Sequence, residues 1–524
     1  MRESASSQPG TSWPRAWLEA AGASLLLAPG LIWNQLSPTH LDLYHRLLPI
    51  TAVVRVLVLD VLVLWLLAVL ALRAIERLTG TNNSQRRTFR TLLWALWLGL
   101  LASRLIAGLI LAQLLSWQEL SAGRAFALTA GILLLIWLLT PRTYLIAVRG
   151  LRFVALLFGF CIFWALPMLV MAGFAHQPHD QAEFQKPVPP AAAPHPRIVW
   201  LLFDELSYDQ LFDHRWPGLD LPNFDRLRTQ SVTFSAMEPD GYFTERIIPS
   251  LFLGKPIVDA RSTEAGALRY QSAKGAPWQA FDENATLFAD ARRQGWTTGI
   301  SGDYNPYCRM LPNQLDSCTM RLIVFGEHLS RDKSTWGNFI APGHAALART
   351  LHQPYEPAPS EAEVFASMMT SARQLVTNDA IDLAFVHLYL PHPPGFYDRK
   401  TGRVLIGGSY IDNLALADRS LADLVSALGE TPSAHQTTLV ISSDHSWRVG
   451  IWRHGFGWTK EDEAASRQGQ FDPRPTLMVR FPDESSPADV SHPVPLLAMH
   501  DIIERMITKE INSPQQLTTW AAQQ

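Results

Sequence analysis

Lysine is missing from the first 174 of this chain's 524 residues, and acidic groups are scarce there: 14 arginines face six carboxylates, a balance of +8. The remainder holds 30 basic and 41 acidic residues, a balance of −11. An acidic second half lacks the basic face a nucleic-acid partner needs, so nucleic acid is excluded as a partner. Cysteine is nearly absent, with three residues in all, which excludes a disulfide-built scaffold. No glycine-rich phosphate loop, internal repeat or heptad array is present, which sets aside P-loop nucleotide chemistry, solenoids and coiled coils.

The chain does have long apolar runs near its start. Five stand out, at about 17–35, 47–72, 91–117, 125–147 and 152–174, each near the ~20 residues a helix needs to cross a bilayer. Pro29-Gly30 interrupts the first, and Glu19 sits near its beginning. No small-residue cleavage site follows it and more runs come after, so it reads as a span rather than a signal peptide. The connectors 73–90 and 142–152 carry Arg73, Arg77, Arg86, Arg87, Arg90, Arg142, Arg149 and Arg152, whereas 36–46 and 118–124 are poor in arginine. Arginine-rich loops stay on the cytoplasmic side. The expectation is a five-helix transmembrane domain over 1–174, with the N-terminus inside and everything after 174 outside. Arg55 and Asp60 in the second run and Arg104 in the third read as bundle-stabilising charges, Arg55 and Asp60 as a buried pair. Cys161 reads as a small apolar residue. Cys308 and Cys318, in a polar stretch on the outer side, are expected to pair, a closure worth ~2–3 kcal/mol.

Residues 175–196 are rich in proline and alanine and read as an extended, semi-rigid linker. From 197 onward, strand-like runs at 198–203, 297–301, 383–390, 437–443 and 476–481 alternate with helical periodicity near 284–294, 361–377, 411–428 and 497–508. That alternation predicts an α/β domain over 197–524 with a mainly parallel central sheet.

Two of those strands carry chemistry at their carboxyl ends. The run Ile198–Phe203 delivers Asp204 and Glu205, and Leu439–Ser443 delivers Asp444 and His445. Carboxylates and imidazole at the ends of apolar strands are what an α/β sheet offers a divalent metal. Between them lies Thr244, in Gly241-Tyr242-Phe243-Thr244-Glu245-Arg246. Each has a plainer reading: Asp204 as a turn cap, Asp444-His445 as a loop pair, Thr244 as a helix cap.

Taken in order, Phe203-Asp204-Glu205-Leu206-Ser207-Tyr208-Asp209, then Thr244 to Leu251, then Asp444-His445-Ser446, then His454-Gly455 resembles the alkaline-phosphatase/sulfatase superfamily. Within it the sequence is most similar to membrane-anchored phosphoethanolamine and phosphoglycerol transferases, which also place five membrane helices before an outer catalytic domain. The resemblance implies an alkaline-phosphatase-like fold on the periplasmic side of a bacterial inner membrane. It makes Thr244 the catalytic nucleophile and Asp204, Glu205, Asp444 and His445 metal ligands. His392 and His454 would contact substrate or a second metal. Arg246 is a candidate fork for ester oxygens, or else a surface ion-pair partner; His387, within the strand that His392 follows, reads as a core histidine. The mixed ligand set suits zinc or manganese. Membrane lipids and envelope glycans are the implied donor and acceptor. The Cys/Ser-x-Pro-x-Arg motif of formylglycine sulfatases is absent, which argues against sulfate-ester cleavage. A tethered hydrolase of soluble esters and a catalytically silent binding protein remain as alternatives; the latter requires that the ligands do not converge.

Overall fold

The computed structural model describes residues 13–28, 44, 50–77, 131, 141–174, 183–188, 196–263, 266–321, 334–340, 361–454, 457–482 and 487–524. The chain divides into two compact units, Met1–Ser37 with Leu47–Gln177 and His328–Tyr355, and Pro38–Arg46 with Pro178–Glu327 and Glu356–Gln524.

In the first unit, helices Trp13–Leu27, Ile50–Arg77, Pro141–Phe160 and Ile162–Phe174 are seen. A Cβ on Gly22 would lie 1.9 Å from the Ala155 carbonyl oxygen, and one on Gly159 would lie 2.0 Å from that of Leu18. Glycine therefore lets these two backbones touch, as in helix pairs that pack on small residues. Glu19, buried beside them, accepts from Arg15 and Arg152 at 2.9 Å. Among the described residues, one helix is long and apolar enough to cross a membrane, Thr51–Ala74, and the bent pair Arg152–Phe160 and Ile162–Phe174 forms a second candidate. Five spanning helices are thus not what the described residues contain. The first run yields a helix of 15 residues, short of a full span, and 91–117 lies outside the described residues. Helix Pro141–Phe160 runs straight through the arginine-bearing segment expected to be a loop, because arginine is itself a good helix former. Arg55 donates to the Gly173 carbonyl at 3.2 Å. One Asp60 oxygen has no partner, and no ion pair joins the two. The described apolar helices leave Leu66, Leu67, Leu70, Phe163, Trp164 and Met171 exposed.

The second unit is built on a nine-stranded sheet. Its strands in chain order are β1 (Phe184–Gln185), β2 (Arg197–Phe203), β3 (Val232–Phe234), β4 (Thr298–Asp303), β5 (Ser317–Arg321), β6 (Leu383–Leu388), β7 (Thr437–Ser443), β8 (Leu477–Arg480) and β9 (Ala488–Val490). They lie in the order β1-β5-β4-β6-β2-β7-β8-β3-β9. The five central strands, β5 through β7, are mutually parallel, while β8 and β1 pair antiparallel at their flanks. β2 is buried along its whole length. Ile198, Trp200 and Leu202 enter one core, and Val199, Leu201 and Phe203 enter the core on the opposite face. Burial on both faces is why these strands read as unbroken apolar runs. Cys308 and Cys318 are bonded. The linker is more than a spacer: Phe184–Gln185 adds to the sheet edge, and the Lys186 ammonium donates to the Pro312 and Leu315 carbonyls.

Candidate active site

β6, β2 and β7 are neighbours, and their carboxyl ends converge on one buried cluster. β2 stops at Phe203 and presents Asp204; β7 stops at Ser443 and presents Asp444 and His445. β6 ends at Leu388, and its continuation carries His392. Thr244 arrives from elsewhere, as the first residue of helix Thr244–Leu253. Its hydroxyl caps nothing there. It donates instead to Asp444 Oδ2 at 2.7 Å and lies 3.3 Å from His445 Nε2. The helix N-terminus behind it contributes partial positive charge where an oxyanion would form. Pro249 lies in the second turn of this helix without ending it.

Asp444 Oδ1 accepts from the backbone N–H groups of Glu205 and His445. His445 Nδ1 faces the Ser446 carbonyl at 3.1 Å, and a carbonyl only accepts, so the ring proton sits on Nδ1. The Nε2 lone pair is then turned to Asp444 Oδ2 at 3.2 Å and Asp204 Oδ1 at 3.7 Å. That tautomer, fixed by a backbone partner, is the one metal-binding imidazoles adopt. Burial, then the charge of Arg448, pushes the His445 pKa down to about 3, keeping the ring neutral.

Burial raises Asp204 well above the usual carboxylate range, with Asp444 adding repulsion, and burial raises Asp444 as well. Three buried carboxylates, Asp204, Glu205 and Asp444, face one guanidinium, that of Arg448. Asp204 Oδ1 is fully buried without a hydrogen-bond partner. An excess of buried negative charge, an orphaned carboxylate oxygen and an imidazole lone pair fit a divalent cation. Asp204, Asp444 and His445 have ligand atoms close enough to share one ion, and Asp204, Glu205 and His392 form an overlapping second group.

The other candidates fall in different places. Glu205, in a left-handed conformation with φ of 65°, accepts from the Arg448 backbone N–H, from its guanidinium at 2.5 Å and from Trp452 Nε1 at 2.9 Å. Arg448 also donates to His392 Nε2 at 2.9 Å. Burial, followed by Arg448, pushes the His392 pKa well below its usual value. Arg246 turns away from the cluster: it donates to the Val258 carbonyl, pairs with Asp259 at 3.3 Å and stacks on Phe243. His454 is exposed and belongs to neither ligand group; Gly455 lies outside the described residues. Sequence reasoning passed over Arg448 and Trp452. Arg448 stands four residues beyond Asp444, a spacing that carries no signal without knowledge that a short helix, Val449–Trp452, folds back over Glu205.

No family model matches this chain, and no curated protein matches it in sequence. Solved structures align with part of the chain at low identity. A phosphonate monoester hydrolase of Agrobacterium radiobacter is 18% identical with a TM-score of 0.38, over 60% of this chain and 74% of its own. A protein in the alkaline phosphatase superfamily from Vibrio parahaemolyticus is 14% identical with a TM-score of 0.38, over 63% and 72%. The lipoteichoic acid synthase LtaP from Listeria monocytogenes is 11% identical with a TM-score of 0.39, over 60% and 73%.

Proposed function

We propose that this chain is a metal-dependent phosphoester transferase whose nucleophile is Thr244. The observation that carries the reading is the meeting of Thr244 Oγ1, Asp444 and His445 within 3.3 Å, with Asp204 at their back, although the residues are far apart in sequence. Zinc or manganese would be held by Asp204, Asp444 and His445, with Thr244 beside them and Glu205 and His392 forming the neighbouring group. The bound cation supplies Lewis acidity, neutralising charge on the hydroxyl and on a phosphoryl oxygen.

The remaining chemistry belongs to the chain. Asp444 accepts the Thr244 hydroxyl hydrogen and so aims an oxygen lone pair into the site. Attack of Oγ1 on phosphorus forms the phosphothreonine ester and breaks the bond to the donor alcohol, which leaves with the proton. An acceptor alcohol or water then attacks the same phosphorus and returns the proton to Thr244. The buried Arg448 guanidinium lies beside the cluster and offsets its negative charge. A bacterial inner-membrane location, with the catalytic unit on the periplasmic side, would keep the site near lipid head groups and envelope glycans. That architecture favours transfer over hydrolysis through effective concentration.

The test is intact-protein mass of the full chain in detergent, with zinc or manganese, after exposure to a phospholipid panel and an aryl phosphate. The expected result is a phosphoryl-sized adduct that vanishes in Thr244→Ala, with aryl phosphate turnover falling at least ~10³-fold. Undiminished turnover in Thr244→Ala would sink the nucleophile assignment.

A further inference from the structure

Exposed apolar surface is placed selectively in the α/β unit. Among its described residues, the large hydrophobic side chains left exposed are Tyr242, Phe243, Val258, Ile451 and Phe471, each 38% to 50% exposed. All five connect to the nucleophile's surroundings. Tyr242 and Phe243 immediately precede Thr244, and the Tyr242 ring meets the edge of the Phe471 ring at 5.6 Å between centroids. The Arg246 guanidinium lies over the Phe243 ring and donates to the Val258 carbonyl. Arg448, which holds Glu205, also donates to the Tyr242 carbonyl at 3.0 Å and leads into the short helix that carries Ile451. Exposed apolar residues normally scatter singly over a surface, and a gathered patch marks an interaction site.

The chemistry of the rim says what covers it. Aromatic rings mixed with branched aliphatic side chains and backed by a guanidinium make the amphipathic belt found where proteins meet the head groups of a bilayer. A platform for stacking sugars has no use for Val258 and Ile451. Charge agrees with a phospholipid surface. Asp259 and Asp472, the acids next to Val258 and Phe471, are paired with Arg246 and Arg474. Lys255, exposed three residues before Val258, joins no ion pair among the described residues, which leaves its ammonium to a lipid phosphate. A bilayer is within reach of the same chain, because helix Thr51–Ala74 is long and apolar enough to cross one.

We propose that the rim of Tyr242, Phe243, Val258, Ile451 and Phe471 docks on a phospholipid bilayer and seats the mouth of the site among the head groups. The inference rests on the reading above for its purpose, since a lipid donor then meets Thr244 without leaving the membrane. The docking itself needs no turnover to be seen.

The test uses the full chain with Cys161, the free cysteine, replaced by alanine, reconstituted in vesicles of phosphatidylethanolamine and phosphatidylglycerol. A nitroxide is attached in turn at Val258→Cys, Ile451→Cys and Phe471→Cys, with Glu430→Cys as the reference. Glu430 follows helix Tyr410–Gly429 and precedes β7, at the amino end of the strands and so at the opposite end of the sheet from the site. Oxygen concentrates in lipid and a nickel chelate in water, so the ratio of their collision rates with the label reads depth. The rim labels should give a ratio at least about threefold above the reference, as for side chains seated at the head-group boundary. Ratios like the reference would overturn the proposal, as would labels shielded from both reagents by a second copy or another part of the chain. Val258→Asp with Phe471→Asp should slow adduct formation from phospholipid about tenfold while aryl phosphate turnover stays within about twofold. Equal losses on both substrates would overturn the delivery role. Rim labels in lipid with no adduct from any donor would leave the docking standing and overturn the functional reading.

Discussion

At the scale of single residues, burial decides more than proximity of charge. Asp303 lies 3.3 Å from Arg321, yet burial outweighs that cation and lifts its pKa to about 7. Its second oxygen has no partner. The folded state therefore binds a proton that the unfolded chain, with an ordinary aspartate near ~4, has already lost. This contribution to stability is fully present below about pH 4 and is lost as pH rises towards 7. Replacing Asp303 with Asn should flatten that part of the profile, measured as unfolding midpoint against pH between 4 and 8. A slope unchanged by the substitution would contradict the assignment. Asp204 and Asp444 were legible in the sequence for a simple reason: each follows an unbroken apolar run, so its distance from the sheet is fixed by the strand. Arg448 and His387 were not. An arginine shortly after an Asp-His pair, or a histidine inside an apolar run, looks the same whether it faces solvent, core or a carboxylate.

At the scale of elements, the five central strands were legible because both of their faces are buried, leaving no alternation to confuse the reading. Short strands at the sheet edges, such as β1 and β9, carry too few residues to show a period. Helix Thr244–Leu253 was ambiguous because Pro249 interrupts its pattern. What ends it is Gly254, with φ of 61° and its N–H donating to the Ser250 carbonyl. A Cβ there would lie 2.5 Å from the His500 ring, and His500 faces the Leu251 carbonyl through Nδ1. Gly254→Ala should therefore cost at least ~1–2 kcal/mol from left-handed strain alone, with displacement of His500 added. Because this helix carries Thr244 at its other end, turnover should fall with the unfolding midpoint. A midpoint equal to that of the unsubstituted protein would show that the helix end accommodates a side chain.

At the scale of the whole molecule, charge asymmetry was the clearest sequence signal, and it leads to a topology that is directly measurable. An epitope at the C-terminus should be digested by protease added to intact spheroplasts, while one placed in the arginine-rich stretch 73–90 should survive. Protection of the C-terminal epitope would reverse the proposed orientation. What the sequence did not reveal is that the α/β unit is discontinuous. Residues 38–46 read as a short connector, because one buried tyrosine in nine residues has no periodicity to detect.

That discontinuity bears on how the protein is made. Tyr44, buried against Ser262 and Asn305, leaves the ribosome 218 residues before the first and 261 before the second, and chains emerge and fold from the N-terminal end. The pocket for Tyr44 must therefore assemble around a side chain that has been waiting since early in synthesis. A fragment beginning at residue 197 would lack the Tyr44 side chain that this pocket encloses. Supplying residues 38–46 as a separate peptide is the natural way to ask whether order of synthesis, or only presence, is what this pocket requires.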